Sequence, residues 1–436
     1  MSGDLRHDHA TLRFPEKFLW GAATSAFQVE GNIANSDWWA WEQSHLLEIN
    51  RSGQAADQYN RFEEDFKLAK DLGHNSHRLS LEWSRIEPKE GEFNQVEIEH
   101  YKNVLKSLKD KGFTVMLTLH HFSNPAWFAK KGGWRSFWAP YRFNKFVKRV
   151  VPELKELVDL WVTINEPAVY ASLGYVSAEF PPQHKNDYFG AFKSMWNMAR
   201  AHKKAYKTIH QIIPNAQVGV ANPVQSYDTI HQHSLRENLG KILADYLTNH
   251  FFYFLSGLKY QDFIGLNYYA NWYIGKNKKG FLPISIDVAR IKPEEVSDLG
   301  WEIHSEGIFN IIMDFSDSGK PIYITENGIA STNDDRRVRF LLSYLKEVYH
   351  TIQLGAPVKG YFYWSLIDNM ELHRGFGPQF GLIEIDFKTQ ARKVRPSAHV
   401  YEEIIKHNGI PHYLLKLLGH GIKVEDVLAD PHDLNL

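Results

Sequence analysis

The chain has 436 residues, 43% hydrophobic and 23% charged, with 50 basic and 51 acidic side chains and no cysteine. Near-zero net charge gives no electrostatic footprint for nucleic acid or an anionic membrane, and the missing thiols exclude disulfides, zinc–thiolate sites, iron–sulfur clusters and thiol catalysis. Aromatic residues make up 14%, core material first, but also the side chains whose apolar face and polar tip suit flat, hydroxyl-edged ligands.

The first nine residues hold no apolar segment of the length a secretory signal needs, and no apolar run approaches a membrane span, so a cytoplasmic, soluble protein is expected. From there, short apolar runs rich in β-branched and aromatic residues alternate with helical patterns. Residues 18–23 read as a strand followed by a helix over 59–72. Strand 76–83 precedes helix 98–111, strand 113–121 precedes helix 141–157, and strand 160–164 precedes helix 188–213. Strand 217–221 leads to helix 235–255, strand 262–268 to helix 306–316, strand 321–325 to helix 336–353, and strand 358–364 to a last helix over 398–406. Eight strands, each followed by a helix, predict an α/β fold: a single closed (β/α)8 TIM barrel over residues 1–410. No low-complexity tract or repeat divides the chain. Residues 411–436 are expected to form a helical extension on the barrel or on a second subunit, with apolar spacing over 410–418 that suits an amphipathic helix.

Such barrels place their chemistry where strands run into the following loops. Polar residues gather at those ends: Gln28 after strand one, His120-His121 at strand three, Asn165-Glu166 at strand four, Asn267 and Tyr269 at strand six, Glu326-Asn327 at strand seven, and Trp364 at strand eight with Glu371 beyond. Strand alternation sends His120 and His121 to opposite faces, so one of them lines the barrel. The strand ends themselves hold two carboxylates, with Glu371 beyond, and no metal-ligand set. Glu166 and Glu326 each close a strand-type run and are followed by Pro167 or by Asn327-Gly328, where the backbone turns and aims the side chain at the mouth. Two carboxyl groups across a sugar pocket suit glycoside hydrolysis, by retention or inversion according to their separation.

Thr163-Ile164-Asn165-Glu166-Pro167 and Ile324-Thr325-Glu326-Asn327-Gly328 resemble the acid/base and nucleophile motifs of glycoside hydrolase family 1, the β-glucosidase and β-galactosidase family. The opening run from Phe14 to Gly31 resembles the family's N-terminal signature, and similarity extends from about residue 14 to about residue 410. The resemblance implies a retaining β-glycosidase without a cofactor, with Glu326 as nucleophile and Glu166 as acid/base. Arg78 is similar to the arginine that supports the nucleophile's charge, and Tyr269 to the tyrosine that hydrogen-bonds it. It further implies that Gln28, His121, Asn165 and Glu371 hold the hydroxyls of the non-reducing sugar. Trp364 would underlie its ring, Asn267 would support the pocket, and Trp301 would form the aglycone platform.

Three departures bear on specificity. Leu372 follows Glu371 where the family commonly has Trp, which removes an indole donor near the 3- and 4-hydroxyls and leaves gluco, galacto and fuco substrates open. Phe122 stands where Trp is frequent. Pro378 occupies the place of the phosphate-binding lysine of 6-phospho-β-glycosidases, the rival reading beside a catalytically silent glycan-binding barrel. The loop 270–299 is short, so an open aglycone entrance is expected. His231-Gln232-His233 has metal-pair spacing but precedes a helix, so it reads as a solvated loop. The expected partner is a small β-glycoside, with neither nucleic acid nor membrane, and a homo-oligomer is compatible with the sequence.

Overall fold

The structure, a computed structural model, describes residues 11–45, 51–276, 284–287 and 296–429. Eight parallel strands close into a barrel: β1 (Leu19–Ala23), β2 (Ser76–Ser80), β3 (Thr114–Thr118), β4 (Leu160–Asn165), β5 (Gln217–Thr229), β6 (Ile264–Lys276), β7 (Ile322–Asn327) and β8 (Val358–Trp364). Each pairs with its sequence neighbours, and β1 with β8 completes the ring. The outer helices are α1 (Gln58–Asp71), α2 (Gln95–Asp110), α3 (Ala139–Leu154), α4 (Tyr188–Ile212), α5 (Leu235–Asp245), α6 (Ser305–Ser316), α7 (Asp334–Gln353) and α8 (Pro396–Lys406). The (β/α)8 barrel expected from the alternation is therefore the fold. Side-chain caps start several helices, with Asn94, Asp187, Ser234 and Asn333 each accepting a first-turn amide hydrogen.

Period-two alternation sorts the strands into two cores. Met116, Leu160, Val162, Phe362 and Trp364 pack with Ala23, Ala221 and Phe380 as one cluster inside the barrel. Their neighbours Val115, Leu117, Trp161, Ile164, Tyr361 and Tyr363 join the larger cluster between barrel and helices. The polar residues of the site continue the inner rows toward the strands' C-terminal ends.

Four elements depart from the sequence reading, each for a local reason. The strand expected over 76–83 stops at Ser80, because the carboxylate of Glu82 accepts the Ser84 amide and caps a helical turn, Trp83–Ile86. The strand expected over 217–221 runs on to Thr229 despite Pro223, paired with β6 as far as Ile274. The helix expected over 235–255 is interrupted by a π turn at Tyr246–His250. There the buried Asn249 amide donates to the Gln225 carbonyl and accepts from the Gln225 amide, which draws one residue inward and bulges the helix. In the tail, Gly409–Pro411 forms an antiparallel strand with Thr11–Arg13, followed by a 3-10 turn at His412–Leu418 and a helix at Val424–Ala429. Pairing with Thr11–Arg13 holds the first of these residues extended, and the expected amphipathic helix over 410–418 becomes strand and 3-10 turn. Leu414 and Leu417 are still buried in the outer core. Of the loop 270–299, β6 extends to Lys276 and Ile284–Asp287 pairs back on it; the expected open entrance rests on residues 277–283 and 288–295, which lie outside the described residues. No helix among the described residues is long and apolar enough to cross a membrane.

Candidate active site

Glu326 occupies the end of β7 and is almost fully buried. From β2, the equally buried Arg78 donates to Glu326 Oε1 through Nη1 at 2.5 Å, and from β6 the Tyr269 hydroxyl donates to Oε2 at 2.7 Å. Arg78 is itself fixed on the other sides: Nη2 donates to Asn165 Oδ1 at 2.6 Å, Nε to Thr118 Oγ1 at 3.2 Å, and Nη1 also to the Thr325 carbonyl at 3.0 Å. A buried guanidinium surrounded by acceptors and one carboxylate holds that carboxylate in one rotamer. The Asn327-Gly328 step after Glu326 has a packing cause. A Cβ at Gly328 would stand 1.8 Å from the Trp364 carbonyl oxygen, so only glycine lets β7 and β8 approach there.

Glu166 lies where β4 turns into the short helix Pro167–Ser172, with φ 44°. A left-handed conformation at a non-glycine residue is uncommon, and here it turns the chain between strand and helix while Pro167 supplies the helical φ of the first turn. Asn267 on β6 donates to Glu166 Oε1 at 2.9 Å and to Asn165 Oδ1 at 3.1 Å, while its own oxygen accepts from Thr325 Oγ1 at 2.6 Å. Burial, and next the charge of Glu326, push the Glu166 carboxyl up to about 8, against the weaker opposing effects of Asn267 and Arg78. The two carboxyls thus share a residue type but not an environment. Tyr269, half-buried and facing Glu326, has its phenol pushed well above its usual range by desolvation and then by the Glu326 charge, so it stays a donor.

The remaining predicted residues surround this centre. Asn165 Nδ2 lies 3.1 Å from His121 Nε2. His121 stacks on Trp364 with ring centroids 6.0 Å apart, and its Nδ1 has no partner. Burial, then the charge of Arg78, hold the His121 imidazole well below its usual range, so it is neutral. His120 turns the other way, toward Asn124 and Trp134, as alternation predicts. Gln28 sits on the short helix Ala26–Val29, where its amide donates to Asn369 Oδ1 and the Met370 carbonyl and its oxygen accepts from Ser25. It thereby ties the loop after β1 to the loop after β8. Glu371 in that loop keeps an unpartnered buried Oε2, and burial together with Glu326 pushes its carboxyl up to about 8. Trp301 is half-buried beside Tyr269, ring centroids 5.9 Å apart, at the outer rim.

Thr118 and Asn369 were not singled out from the sequence. Thr118 had a signal: it is the polar member of the inward row that includes Met116. Asn369 had none, because its role depends on how two loops meet. Leu372 is buried in the outer core with φ 45°, and Phe122 packs edge-on against His121 and Phe180. The exposed His231 bonds Glu237 of α5 through Nδ1 and its amide, a turn contact as expected. Among the described residues, Asp245, His250 and Asp314 bring ligand-type atoms together. Hydrogen bonds that His250 donates to the two aspartates push its imidazole up to about 9, so the imidazolium itself satisfies that pair.

The profile of "Glycosyl hydrolase family 1" matches residues 10–254 and 247–410. The chain is 29% identical to "Beta-glucosidase A" of Thermotoga maritima over 91% of its length and 99% of that protein. It is 30% identical to a "Beta-galactosidase" of Pyrococcus woesei, over 91% and 98%. Among solved structures it superposes on "beta-glycosidase from Pyrococcus horikoshii" with TM-score 0.88 and 36% identity, covering 94% of this chain and 98% of that one.

Proposed function

This chain belongs to glycosyl hydrolase family 1, and on that footing we propose that it hydrolyses terminal β-D-glucosyl, β-D-galactosyl and β-D-fucosyl residues through a covalent intermediate on Glu326. In the first step the Glu326 carboxylate attacks the anomeric carbon and forms an ester. The bond to the leaving-group oxygen breaks while Glu166 gives that oxygen its proton. Esterification removes the charge of Glu326, which lowers the proton affinity of Glu166. Glu166 then takes a proton from water as its oxygen attacks the anomeric carbon, and Glu326 departs as carboxylate. Two inversions leave the configuration retained. The contrast between the carboxyls supports this reading best: Glu326 is held by Arg78 and Tyr269, and Glu166 is buried beside that charge.

Asn165, His121 and Glu371 are proposed to bind sugar hydroxyls, and the unpartnered His121 Nδ1 and Glu371 Oε2 are atoms that such hydroxyls would satisfy. Gln28 is proposed to bind a sugar hydroxyl as well, Trp364 would lie under the ring, Trp301 would face the aglycone, and Asn267 would support the pocket. Pro378 offers no cation to a 6-phosphate, so the phosphorylated substrate class is not favoured.

The proton assignment is tested by pH. Protonated Glu166 is the active form, so kcat/KM on an aryl β-glucoside is expected to fall as pH rises through about 8. Glu371 titrates in the same range, so the profile is repeated in Glu371→Gln. A basic limb that persists there belongs to Glu166; one that vanishes belongs to Glu371 and removes the support. The sugar preference is tested separately. With Leu372 turned into the core, no indole donor stands beside Glu371 to discriminate at C4. Nitrophenyl glucoside, galactoside and fucoside should then differ by no more than roughly tenfold in kcat/KM. A preference of roughly 10^4-fold would reveal a dedicated hydroxyl contact that the proposal omits.

A further inference from the structure

Among the described residues, every exposed large hydrophobic side chain except Trp39, Val96 and Leu354 lies between Phe137 and Leu258. The clustering is spatial as well as sequential. On α4, Phe189 is 69% exposed, and Phe192 stacks on Trp196 one turn later. Phe192 also meets Phe251, which stacks on Phe254, itself 70% exposed. Leu239 and Ile242 on α5, which precedes the helix Phe251–Ser256 in the chain, are 68% and 65% exposed. Single exposed hydrophobic residues need no explanation, but a contiguous patch across α4 and the helix Phe251–Ser256 does.

The same surface is basic. Helix α4 contains Lys193, Arg200, Lys203, Lys204 and Lys207 and no acidic residue. Lys203 and Lys207 lie over the Tyr260 ring, joined there by Lys259. No carboxylate among the described residues forms an ion pair with Lys193, Lys203, Lys204 or Lys207. Between Lys185 and Lys259 there are nine Lys or Arg and four Asp or Glu, within a chain whose totals are 50 and 51. The neutral net charge is thus an average over a basic, aromatic sector and a more acidic remainder.

We propose that this α4–α5 face docks on an anionic lipid surface. Aromatic side chains partition into the interfacial region of a bilayer, and lysines beside them are attracted to acidic headgroups. A second copy of the chain fits less well, because a two-fold contact across α4 would set its unpaired lysines against each other. The face also has a defined position relative to the active site. Helix α4 returns antiparallel to β4, so its first turns, with Phe189 and Phe192, lie at the end of the barrel where Glu166 sits. Docking would bring the barrel mouth alongside the lipid.

The test is co-sedimentation with vesicles of pure phosphatidylcholine and of phosphatidylcholine with phosphatidylglycerol, at low and high salt. The wild type should bind the anionic vesicles at least about tenfold more strongly than the neutral ones and lose that difference in salt. One variant, Phe189→Ser with Leu239→Ser and Phe254→Ser, removes exposed side chains only. A second, Lys203→Glu with Lys204→Glu and Lys207→Glu, reverses the charge. Each should weaken vesicle binding at least about tenfold and leave aryl glycoside hydrolysis in vesicle-free buffer unchanged, which also reports intact folding. Absence of vesicle binding by the wild type, or equal binding by the variants, overturns the proposal. So does a dimer in light scattering that the serine variant dissociates without any vesicle binding, because the face would then be an interface between copies.

Discussion

Glu326→Ala is expected to lower kcat by roughly 10^4- to 10^6-fold, the range for removing an enzyme's nucleophile. The variant empties the space in front of the anomeric carbon but leaves Arg78, Asn165 and Tyr269 in place. A small anion can therefore enter beside the unpaired guanidinium and attack in the carboxylate's stead. Azide at high concentration should restore measurable turnover of a dinitrophenyl glycoside, whose leaving group needs little help. Restoration separates a missing nucleophile from a collapsed site, since azide cannot refold a protein. Full activity without azide would remove Glu326 from the mechanism.

Glu166→Gln has a different expected pattern. Glutamine keeps the shape and can still accept from Asn267, but it carries no transferable proton. Substrates with poor leaving groups, such as methyl or unactivated aryl glycosides, should lose roughly 10^2- to 10^4-fold in kcat/KM. Dinitrophenyl glycosides, which leave without protonation, should lose far less in the glycosylation step. Their kcat should instead become limited by hydrolysis of the glycosyl-enzyme, because no base remains to activate water, so a rapid first turnover should precede a slow steady state. Equal losses across leaving groups would assign Glu166 a structural role. Comparison of the two substrate classes in one preparation makes the result independent of protein yield.

The barrel and its centre were readable in the sequence because both depend on local pattern. The apolar runs and their spacing define the strands, and the turn residues after Glu166 and Glu326 mark where those strands open into the mouth. Arg78 on β2 and Tyr269 on β6, placed by family resemblance, reach from separate strands to put their polar atoms on Glu326. What the sequence concealed depends on contacts between distant segments. The run through Pro223 reads as the end of a strand, yet pairing with β6 carries it on to Thr229. The bulge at Tyr246–His250 requires Asn249 to reach Gln225, and Gln28 spends its amide on Asn369 and Met370, more than three hundred residues away. Composition averaged over the chain likewise hid the basic, aromatic α4–α5 face. The exclusion of a lipid surface from net charge alone does not carry over to a sector with its own charge.

The unequal environments of Glu166 and Glu326 also explain why one residue type serves two purposes. Glu326 receives a guanidinium on one carboxylate oxygen and a phenol on the other. Glu166 receives burial and a neighbouring negative charge, which favour the acid. The barrel creates the difference by drawing each group's partners from other strands: Arg78 and Tyr269 for Glu326, Asn267 for Glu166.

The most direct measurement of the central claim is the anomeric configuration of the first product, followed by proton NMR. The wild type acting on an aryl β-glucoside should release β-glucose, which mutarotates only afterwards, through two displacements at Glu326. Glu326→Ala rescued by azide should form the α-glycosyl azide, because a single displacement inverts the centre. Initial α-glucose from the wild type, or a β-azide from the variant, would contradict a covalent intermediate on Glu326.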